Sequence, residues 1–585
     1  MVNKLELLAP AGSPSSLKAA IDAGADSVYF GSTWNARMKA RNFTKEEIPK
    51  AIRFCHDNNA KAFITLNTII FQHELGPVSE YVSFLYEYGA DAIIVQDLGV
   101  REIARQVAPD LEVHASTQIS THNSRTASIL KKMGFSRAIL ARELSLDQAE
   151  KIGKASGIET EVFCHGALCY SYSGKCNLGF FQSGRSGNRG ACAQLCRLPW
   201  KMSYNGKLIR KGYLTSTKDL STIDEIEKIK KSNIKCIKIE GRQKGLTYIK
   251  RVVGAYRKAI DTGETSDLSY LTQRGYTKGY LFGNARKEKL TNPNESSFSG
   301  TLVGKVERIA NYGATIRLCG MLKEGDSIRA SSSNKVIEIY RMYRNRKQVK
   351  SSDDFCNLMI KTLKPGDQIF RVERERIEEE FLQRIKERGE RKAQSRKLEI
   401  GMPMFEKIPD LFYAYNERDL LGDNESKAVV VPMEIATGEN IRPIKNAVIR
   451  TPRVIFEEEM DEVEKKIREL EEENPFAIMA SELSMVSDYR TVIDGYANVA
   501  NSLAALEWKK TGNVISGVAS PEIGESAEKI GMVQFSEKKV ELLISENDLA
   551  KELDLEDLEG LELIDPRGSR LRLKRSGKRT VILRD

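Results

Sequence analysis

From Leu5 to about residue 265, short apolar runs alternate with amphipathic stretches, the pattern of strand–helix units whose parallel strands are buried on both faces. Eight runs predict strands: LELLAPAG from Leu5, DSVYFG from Asp26, KAFITLN from Lys61, DAIIVQD from Asp91, EVHASTQ from Glu112, RAILARE from Arg137, TEVFCHG from Thr160 and KCIKIEGR from Lys235. Several are launched from a glycine turn, AGAD ending at Asp26, YGAD ending at Asp91 and MGFS ending at Ser136. Glycine accepts the left-handed backbone that closes a helix. Eight such units predict an α/β fold, a TIM-like (β/α)8 barrel rather than an open sheet. Residues just after the strands then line one rim, where barrel enzymes place their chemistry. The polar ones are Asn67, Gln96, Asp97, Ser116, Gln118, Arg142, Glu143, His165, Glu240 and Arg242. About half are expected to touch a ligand, the others to satisfy strand-end backbone groups.

A helix-like stretch from Thr247 to Asp261 completes the last unit, and LSYLTQRGYTKGYLFG follows it. Between about Ser299 and Arg371 the period changes to two (GTLVGKVERI, GATIRL, VIEIYRMY), which predicts a small antiparallel β-barrel. A charged run, VERERIEEEFLQRIKERGERKAQSRK, predicts a solvated helical linker. Beyond residue 400, strands and helices mix again (VVVPME, FAIMAS, VISGVAS, KVELLIS), with too few units for a second complete barrel and a turn-rich strand pair at the end. The expected organisation is a barrel over 1–285, a small β-barrel over 286–372, a linker over 373–400 and a degenerate α/β region over 401–585.

At 585 residues the chain exceeds what one hydrophobic core serves. No run of eighteen apolar residues occurs and the first residues lack an apolar leader, so a cytoplasmic enzyme without membrane contact is expected. The net charge of +10 is mild for this length and compatible with a polyanionic partner. Cysteine placement changes the picture more. Of nine cysteines, five fall between Cys164 and Cys196, and in a reduced compartment such clustering points to metal or redox chemistry before disulfides. Cys164 and Cys236 lie inside apolar strands and read as buried small hydrophobes. The other four follow Cys169-x6-Cys176-x15-Cys192-x3-Cys196, in a loop rich in Gly, Ser and Asn directly after the seventh strand. Four thiolates suit a tetrahedral zinc or a cubane cluster; gaps of six, fifteen and three fit the paired knuckles of structural zinc poorly, which favours iron–sulfur. No HExxH, GxSxG or P-loop motif is present.

These residues resemble a known family. ELLAPAG, EVFCHGALCYSYSGKC, NRGACAQLCR, STKDL, KIEGRQKGLTYIKRVVGAYRKAID and QRGYTKGYL together are similar to the collagenase-like peptidase family U32, densely over residues 5 to 285. The family label implies proteolysis, yet the resemblance is also to members that hydroxylate tRNA, 23S rRNA or ubiquinone precursors. It implies a 4Fe–4S cluster on Cys169, Cys176, Cys192 and Cys196, prephenate as oxygen-atom donor, and an electron-transfer partner. A small dianionic co-substrate needs fixed cations, and Arg142, Arg242 and Lys218 are the candidates, with Glu240 orienting Arg242 and His165 a further catalytic candidate. Tyr170, Tyr172, Phe180 and Phe181 are expected either to stack an extruded base or to pack over the cluster. An RNA partner would be held by Arg341, Arg344, Arg346 and Lys347 of the small β unit. Two other readings stand beside RNA hydroxylation: a U32-type peptidase, and a non-catalytic RNA-binding protein with a structural metal.

Overall fold

The computed structural model describes residues 5–584 except 39–40, 273, 284–289, 295–300, 311–312, 333–335, 361, 373–384, 386–390, 394–397, 422–425, 487–488, 538, 548, 550–557 and 577–578. Seven strands, β1 (Glu6–Pro10), β2 (Ser27–Phe30), β3 (Lys61–Leu66), β4 (Ala92–Val95), β5 (Glu112–Ala115), β6 (Arg137–Ile139) and β7 (Glu159–Ala167), pair in parallel in chain order. Three strands intervene, β8 (Trp200–Tyr204), β9 (Lys207–Gly212) and β10 (Asp219–Ser221), before β11 (Cys236–Ile239) pairs in parallel with both β1 and β7. That double pairing closes an eight-stranded parallel barrel from the eight predicted runs.

Inside the barrel lie Leu8, Tyr29, Phe63, Ile94, Ile139, Phe163 and Cys236. Beneath them runs a buried ionic ladder. Glu161, fully buried, accepts from Lys238 at 3.0 Å and faces Arg137 at 3.4 Å. A buried carboxylate persists only when paired this closely.

Residues 301–372 form the antiparallel unit, eight strands around Val303, Ile316, Ile328, Met342 and Ile369. The expected charged helix over 373–400 lies mostly outside the described residues. Beyond it, six strands (Leu411–Tyr413, Ala428–Pro432, Ala447–Arg450, Ala477–Ala480, Thr491–Ile493 and Val514–Gly517) build a parallel sheet in chain order, so the C-terminal region stops two strands short of a barrel.

This partial barrel repeats details of the first. Asn123 caps helix Ser124–Lys132 and Asn501 caps helix Ser502–Lys509, each three residues after a left-handed residue, Ser120 and Asn498. The two units meet through these copies reciprocally. The Asn123 amide donates to the Ile455 carbonyl at 2.8 Å, and the Asn501 amide to the Ile70 carbonyl at 2.9 Å. The Gln72 side chain accepts from the Ser502 amide, as Glu457 accepts from that of Ser124. One surface used twice is the geometry of an isologous dimer, here within a single chain.

The chain end is larger than the expected strand pair. Four strands (Val540–Ser545, Leu561–Ile564, Arg570–Ser576 and Arg579–Arg584) join β8 and β9 in one six-stranded antiparallel sheet, with Leu563 opposite Met202. Sequence patterning missed this because the partners lie some 350 residues apart, and no local period encodes a pairing of that span.

Candidate active site at the barrel rim

The loop after β7 crosses the C-terminal rim of the barrel. It presses so closely on the loop after β5 that a Cβ at Gly174, whose φ is +76°, would stand 2.0 Å from the Gln118 carbonyl oxygen. Glu143 anchors it from below, accepting from the Ser173 backbone N–H at 3.1 Å and facing His122 at 3.2 Å. The C-terminal region anchors it from above. Tyr172 N–H donates to the Ile544 carbonyl and Asn177 N–H to that of Leu542; the Lys175 ammonium donates to the Ser481 carbonyl, while Arg453 donates to the carbonyl of Lys175 itself. Tyr172 also hydrogen-bonds Glu546, and Tyr170 packs in the core of the composite sheet. Both tyrosines fasten the loop, and neither is a free platform for a base.

Under this loop lies an open cavity of about 170 Å³. Cys169, Cys176, Cys192 and Cys196 all line it. Cys169 and Cys192 are exposed and Cys176 and Cys196 half-buried, the exposure being to the cavity. Burial, and after it the three neighbouring thiols, holds Cys176 well above the ordinary thiol range, and burial with Cys169 beside it pushes Cys196 up to about 12. The four sulfurs therefore share one environment. Among the described residues, no three His, Cys, Asp or Glu side chains are spaced to hold a single metal ion.

The same cavity is lined by the cations Arg37, Arg142, Lys238 and Arg242, with Glu240 as the acid among them. Glu240 lies between Arg37 at 3.6 Å and Arg142 at 3.5 Å. Burial alone would raise its carboxyl, but the guanidiniums of Arg37, Arg142 and Arg242 outweigh burial and hold it below the usual range. Arg142 also donates to the Ala167 carbonyl at 3.1 Å and lies over the Phe163 ring. Arg242 is fixed from the opposite side, donating to Asn35 at 3.1 Å and to Thr65 at 3.0 Å. Burial pulls it down to about 10, so it stays charged at neutral pH. Glu240 thus orients Arg142 and Arg37, where the sequence reading had it orienting Arg242.

Six of the ten rim residues named from sequence line the cavity: Asn67, Ser116, Gln118, Arg142, Glu240 and Arg242. The others have structural employment. Asp97 caps the helix after β4 and binds Asn501, and Glu143 holds the cysteine loop. Gln96 donates to Asn188 at 3.4 Å. His165 sits between the hydroxyls of Tyr256 and Tyr276, and burial pulls it down to about 3, so it stays neutral at physiological pH. Lys218 does not reach the cavity lining, and neither do Arg341, Arg344, Arg346 and Lys347. These four lie on a hairpin of the antiparallel unit, where Arg344 pairs with Asp354 at 3.4 Å. Arg37 and Lys238 were missed. Lys238 was readable, because Cys236 and Lys238 alternate along one strand and share its inner face. Arg37 lies seven residues beyond β2, in a loop whose path no periodicity reveals.

Peptidase family U32 matches residues 12–291. A protein of Methanocaldococcus jannaschii, described as an uncharacterized protease, is 36% identical over 357 residues, covering 56% of this chain and 87% of that protein. The chain belongs to peptidase family U32. Among its U32 relatives, the 23S rRNA 5-hydroxycytidine C2501 synthase of Escherichia coli is 35% identical over 354 residues, covering 57% of this chain and 54% of that protein, so the match spans about half of its length. The tRNA hydroxylation protein P of Helicobacter pylori is 36% identical over 304 residues, covering 48% of this chain and 72% of that protein.

Proposed function

We propose that this U32 chain hydroxylates a base of tRNA or rRNA, using an iron–sulfur centre at the barrel rim. One observation carries the reading: four cysteines and a fixed cluster of cations line the same cavity. Four thiols on one cavity are a ligand set that a 4Fe–4S cluster takes. Cys169, Cys176, Cys192 and Cys196 would hold a 4Fe–4S cluster, which supplies redox chemistry when bound.

The chain's own groups do the rest. Arg37, Arg142 and Arg242 present planar forks suited to carboxylates and, with Lys238 already paired to Glu161, give the wall three positive charges against the one of Glu240. A small dianion such as prephenate, acting as oxygen donor, is the kind of molecule that balances this excess. Glu240 keeps Arg37 and Arg142 in place. The apolar side chains Phe163, Ile94 and Leu543 limit water around the reacting groups. The names of the rRNA and tRNA relatives support an RNA substrate.

The protease reading finds less support. Among the described residues none of the five histidines lines the cavity, so no cysteine or serine there has a histidine base beside it. The test is mass spectrometry of nucleosides from tRNA and rRNA of a strain lacking this gene. One hydroxylated nucleoside is expected to disappear and to return with the intact gene; an unchanged nucleoside profile overturns the proposal.

A further inference from the structure

The hairpin β8–β9 grows out of the cysteine loop and is rooted at its fourth cysteine. The Trp200 indole N–H donates to the Leu195 carbonyl at 3.0 Å, and on the return path the Thr215 hydroxyl donates to the Cys196 carbonyl at 2.6 Å. From Arg197 to Lys218 the chain carries six Lys or Arg residues and no Asp or Glu. Lys201, Tyr204, Lys207, Leu208, Ile209 and Lys211 are exposed, Leu208 by 60% and Ile209 by 48%. A structural role for the hairpin requires neither the one-sided charge nor the bare apolar tip.

The basic face continues across the composite sheet. Register places Lys201 opposite Lys211 on one side and Ile564 on the other, with Arg570 beyond Ile564; residues directly opposite share a face. Arg570, Arg572 and Lys574 are the exposed members of the alternating strand Arg570–Ser576. Glu562 interrupts the strip and pairs with Arg570 at 2.8 Å. The result is a four-strand-wide cationic surface fused to the loop that carries the cavity's thiols.

We infer that this face docks the sugar–phosphate backbone of the RNA substrate, with Tyr204, Leu208 and Ile209 at the tip contacting unstacked bases. The inference rests on the RNA reading above and assigns it a surface different from the Arg341–Lys347 hairpin. Phosphates spaced along a strand fit a cationic strip, and aromatic or apolar tips receive single-stranded bases. Rooting at Cys196 ties the docked strand to the cavity wall.

The test is binding of total tRNA and of fragmented 23S rRNA to the full chain across a salt series, with the variant Lys201→Gln/Lys207→Gln/Lys211→Gln. The intact protein is expected to bind with steep salt dependence. The triple variant, with unchanged thermal unfolding, is expected to bind at least tenfold more weakly, with a salt slope shallower by about two. The cellular nucleoside profile of the variant should fall in parallel. If the wild type binds and modifies RNA and the variant does both equally well, the docking inference fails while the RNA reading stands. If the wild type binds no RNA, or captures an acidic protein through this hairpin instead, the inference fails, and an unchanged nucleoside profile in the gene deletion removes the RNA reading with it.

Discussion

Arg242→Met will lower kcat/KM for RNA modification by about a hundredfold or more, and it will leave the inorganic centre in place. Arg242 lines the cavity, is buried, and is held by Asn35 and Thr65 rather than by any cysteine. Its loss removes a fixed cation from the cavity wall proposed to hold the donor. Removing one such preorganised group typically costs on the order of 10²–10³ in rate, about 2.7–4 kcal/mol. Glu240 keeps both Arg37 and Arg142, so the rest of the wall should hold. Arg242→Lys should recover only part of the activity, since an ammonium lacks the planar fork. The check is single-turnover and steady-state assay beside the visible spectrum. Full activity in the Met variant would show that the cationic wall is scaffolding.

Arg453→Met will loosen the cysteine loop from a distance. Arg453 is buried, stacks 3.8 Å over the Tyr496 ring, pairs with Glu541 at 2.9 Å and donates to the carbonyl of Lys175, the residue before Cys176. Burial alone would raise Glu541, but Arg453 and Arg450 hold it below the ordinary carboxylate range, so the variant leaves that acid with less compensation. Breaking a fully buried pair costs about 3–5 kcal/mol. Because Glu541 is about a third exposed, roughly 2 kcal/mol is expected here. The unfolding midpoint should drop by about 2 °C, and iron should leak from the purified protein faster than from wild type. Measurements of midpoint and iron retention decide it. Unchanged iron retention would mean the C-terminal region does not hold the loop.

The barrel was legible because its signal is local: each strand is a short apolar run and several helix ends are glycine turns, so all eight strands could be placed before any contact was known. The four cysteines were legible for the same reason, being neighbours in sequence. The cationic wall was half legible. Arg142, Glu240 and Arg242 stand at strand ends where such residues are sought, whereas Lys238 lies mid-strand and Arg37 deep in a loop. His165 looked catalytic by position, yet Tyr256 and Tyr276, reached only through the fold, make it a neutral buried link. The C-terminal region was least legible. Its contacts with the cysteine loop, a few backbone hydrogen bonds and more through scattered side chains such as Lys175, Arg453 and Asn498, join residues so far apart in sequence that no local pattern marks them. Even its repetition of the first barrel survives only in scattered features such as Asn123 and Asn501 with their capped helices.

Purification under strict exclusion of oxygen, followed by iron and acid-labile sulfide analysis with visible and EPR spectra, bears most directly on the four thiols. The account predicts a brown protein with near-equal iron and sulfide, and loss of both in Cys169→Ala. A colourless protein carrying stoichiometric zinc, or one whose iron survives that substitution, would contradict it.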